Sequence, residues 1–217
     1  HRTEYEPPTA NEVQSAVERV VSALRSASRP LILVGGGLRL ANMIPELEAI
    51  LDIWKIPTAV SWSAIDAVSE LHPCYVGRPS SVGDRCGNLI VESSDLLIVL
   101  GCRLNIRQIG YNFESFATNA KVIMIDVDAR ELLKPTLRLE ERINLDLKDF
   151  LPALKQNLQK VGQPSSQTEY LHRCKKIVRL YSARNEKRDC TGLSVYKFIE
   201  KLSEFWRAGD VVVCGNG

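Results

Sequence analysis

The chain has 217 residues, of which 45% are hydrophobic, and its 28 basic and 26 acidic side chains leave a formal charge of +2. That is room for one large domain, or one domain and part of another, around a sizeable core. The near balance of charge gives no electrostatic footprint for nucleic acid or an anionic membrane, no apolar run approaches the ~20 residues that span a bilayer, and residues 1–8 lack the apolar centre of a signal peptide.

Residues 10–25 read as an amphipathic helix, with Val13, Ala16, Val17, Val20, Val21 and Leu24 at helical spacing. A β-prone run, 31–34, ends in Gly35, Gly36 and Gly37. A helix follows, with Ile44, Leu47, Ile50, Leu51 and Trp54 in phase, and Pro57 opens a second strand over 58–61. Residues 63–87 form a long irregular connection carrying Pro73, Gly77, Pro79 and Gly83. Connections of that length are often functional.

A short helix is expected over 88–93 and a third strand over 96–100, closed by Gly101. The run 122–127, closed by Asp128, predicts a fourth, before a helical turn over 129–134 halted by Pro135. A brief strand over 143–145 and a helix over 148–158 complete the pattern. Alternating apolar strands and amphipathic helices predict an α/β fold on a parallel sheet covered on both faces. Residues 162–166 look like a linker. Beyond it come a polar helix over 167–184, an amphipathic helix over 193–206 and a strand-like run over 211–214. The expected organisation is one domain over 1–161 and the opening of a second over 167–217.

Three strand ends could carry chemistry. The first is Val34-Gly35-Gly36-Gly37 entering a helix, where bare backbone can approach a phosphate. It lacks the third glycine of a full G-x-G-x-x-G, and a plain strand-to-helix turn explains it as well. The second is Gly101-Cys102-Arg103-Leu104-Asn105-Ile106-Arg107. Two arginines four apart suit a diphosphate, and a solvated basic turn is the alternative. The third pairs Asp126 and Asp128 around Val127. A carboxylate there can accept from ribose hydroxyls or cap the following helix. The cap is the better reading for Asp128, while Asp126 and Asp146 stay open between the two.

There is no Gly-x-Ser-x-Gly elbow and no His-Glu-x-x-His, so no self-contained catalytic machine is visible. His72, beside Pro73, reads as a surface residue. The six cysteines, at 74, 86, 102, 174, 190 and 214, form no Cys-x-x-Cys and do not cluster with the three histidines. They read as buried free thiols of a cytoplasmic protein rather than a zinc site.

Taken in order, the stretch 29–154 resembles the central domain of thiamine-diphosphate-dependent enzymes of the acetolactate synthase type. The resemblance is carried by Val34-Gly35-Gly36-Gly37, by Ile56-Pro57 leading to Pro73, by Ser94-Asp-Leu-Leu-Ile-Val-Leu-Gly-Cys-Arg-Leu104, and by Ile125-Asp-Val-Asp128. Residues 210–217 resemble the first strand of that family's thiamine-diphosphate-binding domain. Two departures stand out: the family's Gly-Met-His-Gly loop is here Gly77-Arg-Pro-Ser80, and Asn105 replaces an aspartate.

The resemblance implies a six-stranded parallel Rossmann-like three-layer sandwich of the NAD/FAD-binding kind, followed by the start of a thiamine-diphosphate domain. It implies FAD or ADP on Gly35, Gly36, Gly37, Ser61, Trp62, Val76, Gly77, Gly101, Cys102, Arg103, Asn105, Arg107, Asp126, Val127 and Asp146. Thiamine diphosphate and Mg²⁺ would belong to the full-length enzyme, a transferase or lyase that cleaves a 2-keto acid such as pyruvate and passes on two carbons. Its activating glutamate and its Gly-Asp-Gly metal motif would lie in domains outside these residues, so this piece alone is expected to be inactive. The implied partners are those domains and further copies in a homodimer or homotetramer. A non-catalytic nucleotide-binding or assembly domain is the competing reading. A sirtuin-like deacylase is set aside, because the cysteine spacing offers no four-cysteine zinc module.

Overall fold

The computed structural model describes residues 7–181, 192 and 194–213. Helix α1 (Ala10–Ser26) is started by a capping box: the Thr9 side chain accepts from the Glu12 N–H while Glu12 reaches back to the Thr9 N–H. Its buried stripe is Ala16, Val17, Val20, Val21 and Leu24.

Five strands follow: β1 (Pro30–Val34), β2 (Thr58–Val60), β3 (Leu96–Leu100), β4 (Lys121–Ile125) and β5 (Glu141–Ile143). They form one parallel sheet in the order β2-β1-β3-β4-β5. The helices between and after them are α2 (Gly37–Leu40), α3 (Ile44–Ile53), α4 (Arg85–Ser93), α5 (Ile106–Ile109), α6 (Ala129–Leu132), α7 (Leu147–Leu158) and α8 (Ser165–Tyr181). Every residue of β1 and β3 is buried. A parallel sheet covered on both faces requires such runs. Right-handed crossovers send the β1–β2 and β2–β3 connections to opposite faces. The packing agrees, since α7 lies against both α1 and α3 while α4 lies against α8.

The expected sixth strand is not present among the described residues. Separately, of the run 211–214 expected as the first strand of the following domain, residues 211–213 are not in a strand, and 214 lies outside the described residues. At the other edge, the segment after Pro73 runs beside β2. The Thr58 N–H donates to the Cys74 carbonyl, Val76 N–H to Thr58, and Val60 N–H to Gly77, yet only the Thr58–Tyr75 pair forms a bridge. Pro73 and Pro79, which cannot donate to a ladder, and Gly77 at φ 120° hold it below strand length.

The stretch 162–166, expected as a linker, already contains the start of α8. That helix buries Tyr170, Leu171 and Cys174 in the same core, and the fully buried Gln167 donates to the Leu24 and Ala27 carbonyls. The chain forms two compact units, His1–Asn185 and Glu186–Gly217. In the second, α9 (Val195–Ser203) carries an apolar face of Val195, Phe198, Ile199 and Leu202. Among the described residues no helix is long and apolar enough to cross a membrane.

Candidate functional site

Register puts the strand ends in one line. Val60 and Leu100 both pair with Val34, Leu100 pairs with Ile125, and Ile125 pairs with Ile143. The next residues along are therefore Ser61, Gly35, Gly101, Asp126 and Asn144. Backbone bonds tie them in series: Ser61 N–H to Val34 at 2.8 Å, Gly35 N–H to Leu100 at 2.9 Å, Gly101 N–H to Ile125 at 3.0 Å and Asp126 N–H to Ile143 at 3.1 Å. The turns at Gly36, Gly101 and Val127 thus share one rim. Connections leave β1 and β3 toward opposite faces, so this rim holds the topological switch point where open α/β sheets bind ligands.

The glycines divide into two kinds. A Cβ on Gly35 would stand 2.1 Å from the Gly101 carbonyl oxygen, and one on Gly37 would stand 2.8 Å from the Gly101 Cα. Both are glycine because two loops touch backbone to backbone. Gly101 itself has φ 55°, a left-handed conformation that favours glycine. Gly36 is less crowded: its added Cβ would meet the Ser63 side chain at 3.2 Å and the Ser63 carbonyl oxygen at 3.5 Å.

Ser61 and Cys102 are buried beside these turns. Burial pushes the Cys102 thiol up, while the Leu104 N–H and the Ser61 hydroxyl pull the other way. Trp62 is 69% exposed on the same connection. Arg39 of α2 pairs with Asp66 and donates to the Ser63 carbonyl, which fastens this segment to α2.

Val76 is fully buried, and its N–H donates to the Thr58 carbonyl of β2. The loop from Gly77 is closed by Asp84, which accepts from the Arg78 and Gly87 N–H groups. It docks on α5: both the Ser81 N–H and its hydroxyl donate to the Arg107 carbonyl, and Gln108 donates to the Pro79 carbonyl. Gly77, Arg107 and Asn105 are joined in this way, with Asn105 capping α5 by accepting from Arg107 and Gln108. An aspartate could make the same cap, so the departure at 105 preserves the local fold.

At the end of β4, Asp126 is only 8% exposed and accepts from the Asp128 N–H at 2.9 Å. Burial pushes its carboxyl up, against that hydrogen bond. Asp128 caps α6, as expected, and its bonds from Arg130 hold its carboxylate low. Asp146 caps α7 by accepting from Lys148. The next residue, Leu147, is one that a side chain on Gly101 would meet, at 3.1 Å.

Sequence reasoning missed the partners of Arg103. Its Nε lies 3.0 Å from Glu131 Oε1, and Lys134 pairs with the other oxygen of Glu131 while donating to the Arg103 carbonyl at 2.9 Å. Leu104, just beyond, has φ 46° although it is not glycine, a strain of about 1–2 kcal/mol. The available signal was the Glu131-x-x-Lys134 spacing on the turn after Asp128. Two cavities open elsewhere: one of about 400 Å³ between the segments 113–122 and 136–140, and one of about 360 Å³ between α1 and β5.

The architecture is that of a doubly wound parallel α/β domain with a glycine-edged switch point. The chain belongs to the thiamine pyrophosphate enzymes, whose central-domain family model matches residues 17–154. Among curated relatives, it is 35% identical over 130 residues to a probable acetolactate synthase large subunit of Methanococcus aeolicus, covering 60% of this chain and 21% of that protein. It is 30% identical over 182 residues to the acetolactate synthase large subunit of Cyanidium caldarium, covering 82% and 31%. It is 31% identical over 212 residues to the acetolactate synthase isozyme 2 large subunit of Escherichia coli K12, covering 95% and 36%. The chain thus spans between about a fifth and just over a third of the relatives it matches.

Proposed function

We propose that this domain holds the diphosphate of FAD or ADP across the rim formed by Gly36, Gly101–Arg103 and Val127. The observation that supports it best is the single row of strand ends at the switch point. The residues there fit the group. Gly36 leaves backbone uncovered where an added Cβ would press only on Ser63. Arg103 offers a cation whose side chain is 67% exposed, and Asp126 offers a carboxylate for ribose hydroxyls. In this reading the nucleotide is structural, and the residues orient it without reacting.

The parent enzyme would use thiamine diphosphate and Mg²⁺, held by its other domains, to cleave a 2-keto acid such as pyruvate and transfer two carbons. Residues after α8 would open its thiamine-diphosphate domain. The 217-residue chain by itself would lack carboligase activity.

The test is retention of nucleotide. The protein is mixed with FAD or ADP, passed over a sizing column and read by flavin or adenine absorbance. Retention by the parent and loss in Arg103→Ala support the reading. Equal retention by both would place the nucleotide elsewhere. A full-length chain lacking the activating glutamate and the Gly-Asp-Gly motif would favour a non-catalytic assembly domain.

A further inference from the structure

Arg103 follows the glycine turn of β3 and stands at the rim, yet nothing from its own strand or helix steadies its side chain. Three observations bear on how it is held. The Glu131 carboxylate forms an ion pair with it, Oε1 lying 3.0 Å from Nε. Lys134 pairs with Glu131 and also donates to the carbonyl of Arg103, so one turn of chain fixes both side chain and backbone. The left-handed Leu104, 2% exposed, anchors the chain immediately after it.

A guanidinium held through Nε keeps its outer edge available. That edge is the one that meets phosphate oxygens in a two-pronged geometry. Fixing it beforehand reduces the rotamer freedom lost on binding. The Glu131 side chain is 15% exposed, a sheltered position for a carboxylate whose only evident task is to hold two cations.

We propose that Glu131 and Lys134 are positioning residues for Arg103, presetting its guanidinium for a nucleotide diphosphate, a role that rests on the nucleotide reading above. The alternative use of the same contact is competition: Glu131 would occupy Arg103 and have to be displaced by an anion. The two differ in sign. Charge alone predicts that removing a carboxylate beside Arg103 tightens anion binding. Positioning predicts that it weakens.

The experiment is calorimetric titration of the 217-residue protein with ADP, in the parent and in Glu131→Ala, Glu131→Gln, Lys134→Met and Arg103→Ala. Arg103→Ala is expected to bind at least about tenfold more weakly. Glu131→Ala should lose about three- to tenfold despite the lost negative charge, and Glu131→Gln, which keeps the shape of the side chain beside Nε but not its charge, should recover part of it. Lys134→Met should lose a few-fold. In parallel, the chemical shift of the Arg103 Nε–H is followed by NMR and should move in Glu131→Ala. Unchanged or tighter ADP binding by Glu131→Ala, or an Nε–H shift that does not respond to it, overturns the proposal. No ADP binding by the parent overturns the nucleotide reading and the role with it, whatever the resonance shows.

Discussion

The Gly35 N–H donates to the Leu100 carbonyl at 2.9 Å, and a side chain on Gly35 would drive into the carbonyl of Gly101, the residue after Leu100. The two central strand ends are therefore locked before any ligand is considered.

That lock sets Gly35 apart from Gly36. Gly35→Ala should lose about 3 kcal/mol or more of stability, because its clash is with backbone that cannot rotate away. Gly36 has φ −60° and ψ −20°, values alanine adopts freely, and an added Cβ there would meet Ser63 no closer than 3.2 Å. Gly36→Ala should stay within about 1 kcal/mol of the parent while weakening nucleotide retention. Urea unfolding of both variants checks the contrast.

Asp126 should sit in its site at some expense to the fold. Its folded pKa is raised, chiefly by burial. A raised folded pKa means stability that is present below the ordinary aspartate value and lost as pH rises through the folded one. Asp126→Asn keeps an oxygen for the Asp128 N–H and escapes that loss. Its melting temperature should exceed the parent's at pH 7, with the gap closing toward pH 4. A gap that widens on acidification would contradict this.

Burial pushes the thiols of Cys74, Cys86 and Cys174 up, to about 11, about 12 and about 12, and that of Cys102 up as well. Few thiolates form at pH 8. Iodoacetamide should leave peptides containing these four unlabelled in the native protein and label them in urea. Native labelling of Cys102 would show that the loop between β3 and α5 opens.

Helix α8 should be integral to the first unit. Ending the chain at residue 163 would uncover the contacts of Tyr170, Leu171 and Cys174 and strip Gln167 from the Leu24 and Ala27 carbonyls. With roughly 1.5–3 kcal/mol for each large buried side chain, the fragment should be at least about 3 kcal/mol less stable than one ending at 185. Equal urea midpoints would refute this.

The strands β1, β3 and β4 were legible because each carries an unbroken apolar run ended by Gly35, Gly101 or Asp126, whereas β5, expected over 143–145, lies at Glu141–Ile143, where Glu141 and Arg142 hide it. Their shared rim follows from parallel pairing alone. The edge beside β2 was not legible, since Pro73 and Pro79 hide three ladder-like hydrogen bonds in a stretch that reads as loop. Nor was the helical split after Gly37, where Asn42 turns left-handed at φ 57°. The amphipathic pattern of α8 looked like the start of something new, because sequence periodicity shows that a helix has a buried face and not which core receives it. The hold on Arg103 escaped for a related reason: Lys134 meets its carbonyl 31 residues further on, beyond any local pattern.

Where a nucleotide touches the rim decides between a diphosphate site and a bare sheet edge. Backbone amide resonances of the ¹⁵N-labelled protein, followed during ADP addition, address it directly. The account predicts saturable shifts concentrated at Gly36, Cys102–Arg103 and Val127. Shifts gathered instead around the cavity between 113–122 and 136–140, with the glycine rim silent, would contradict it.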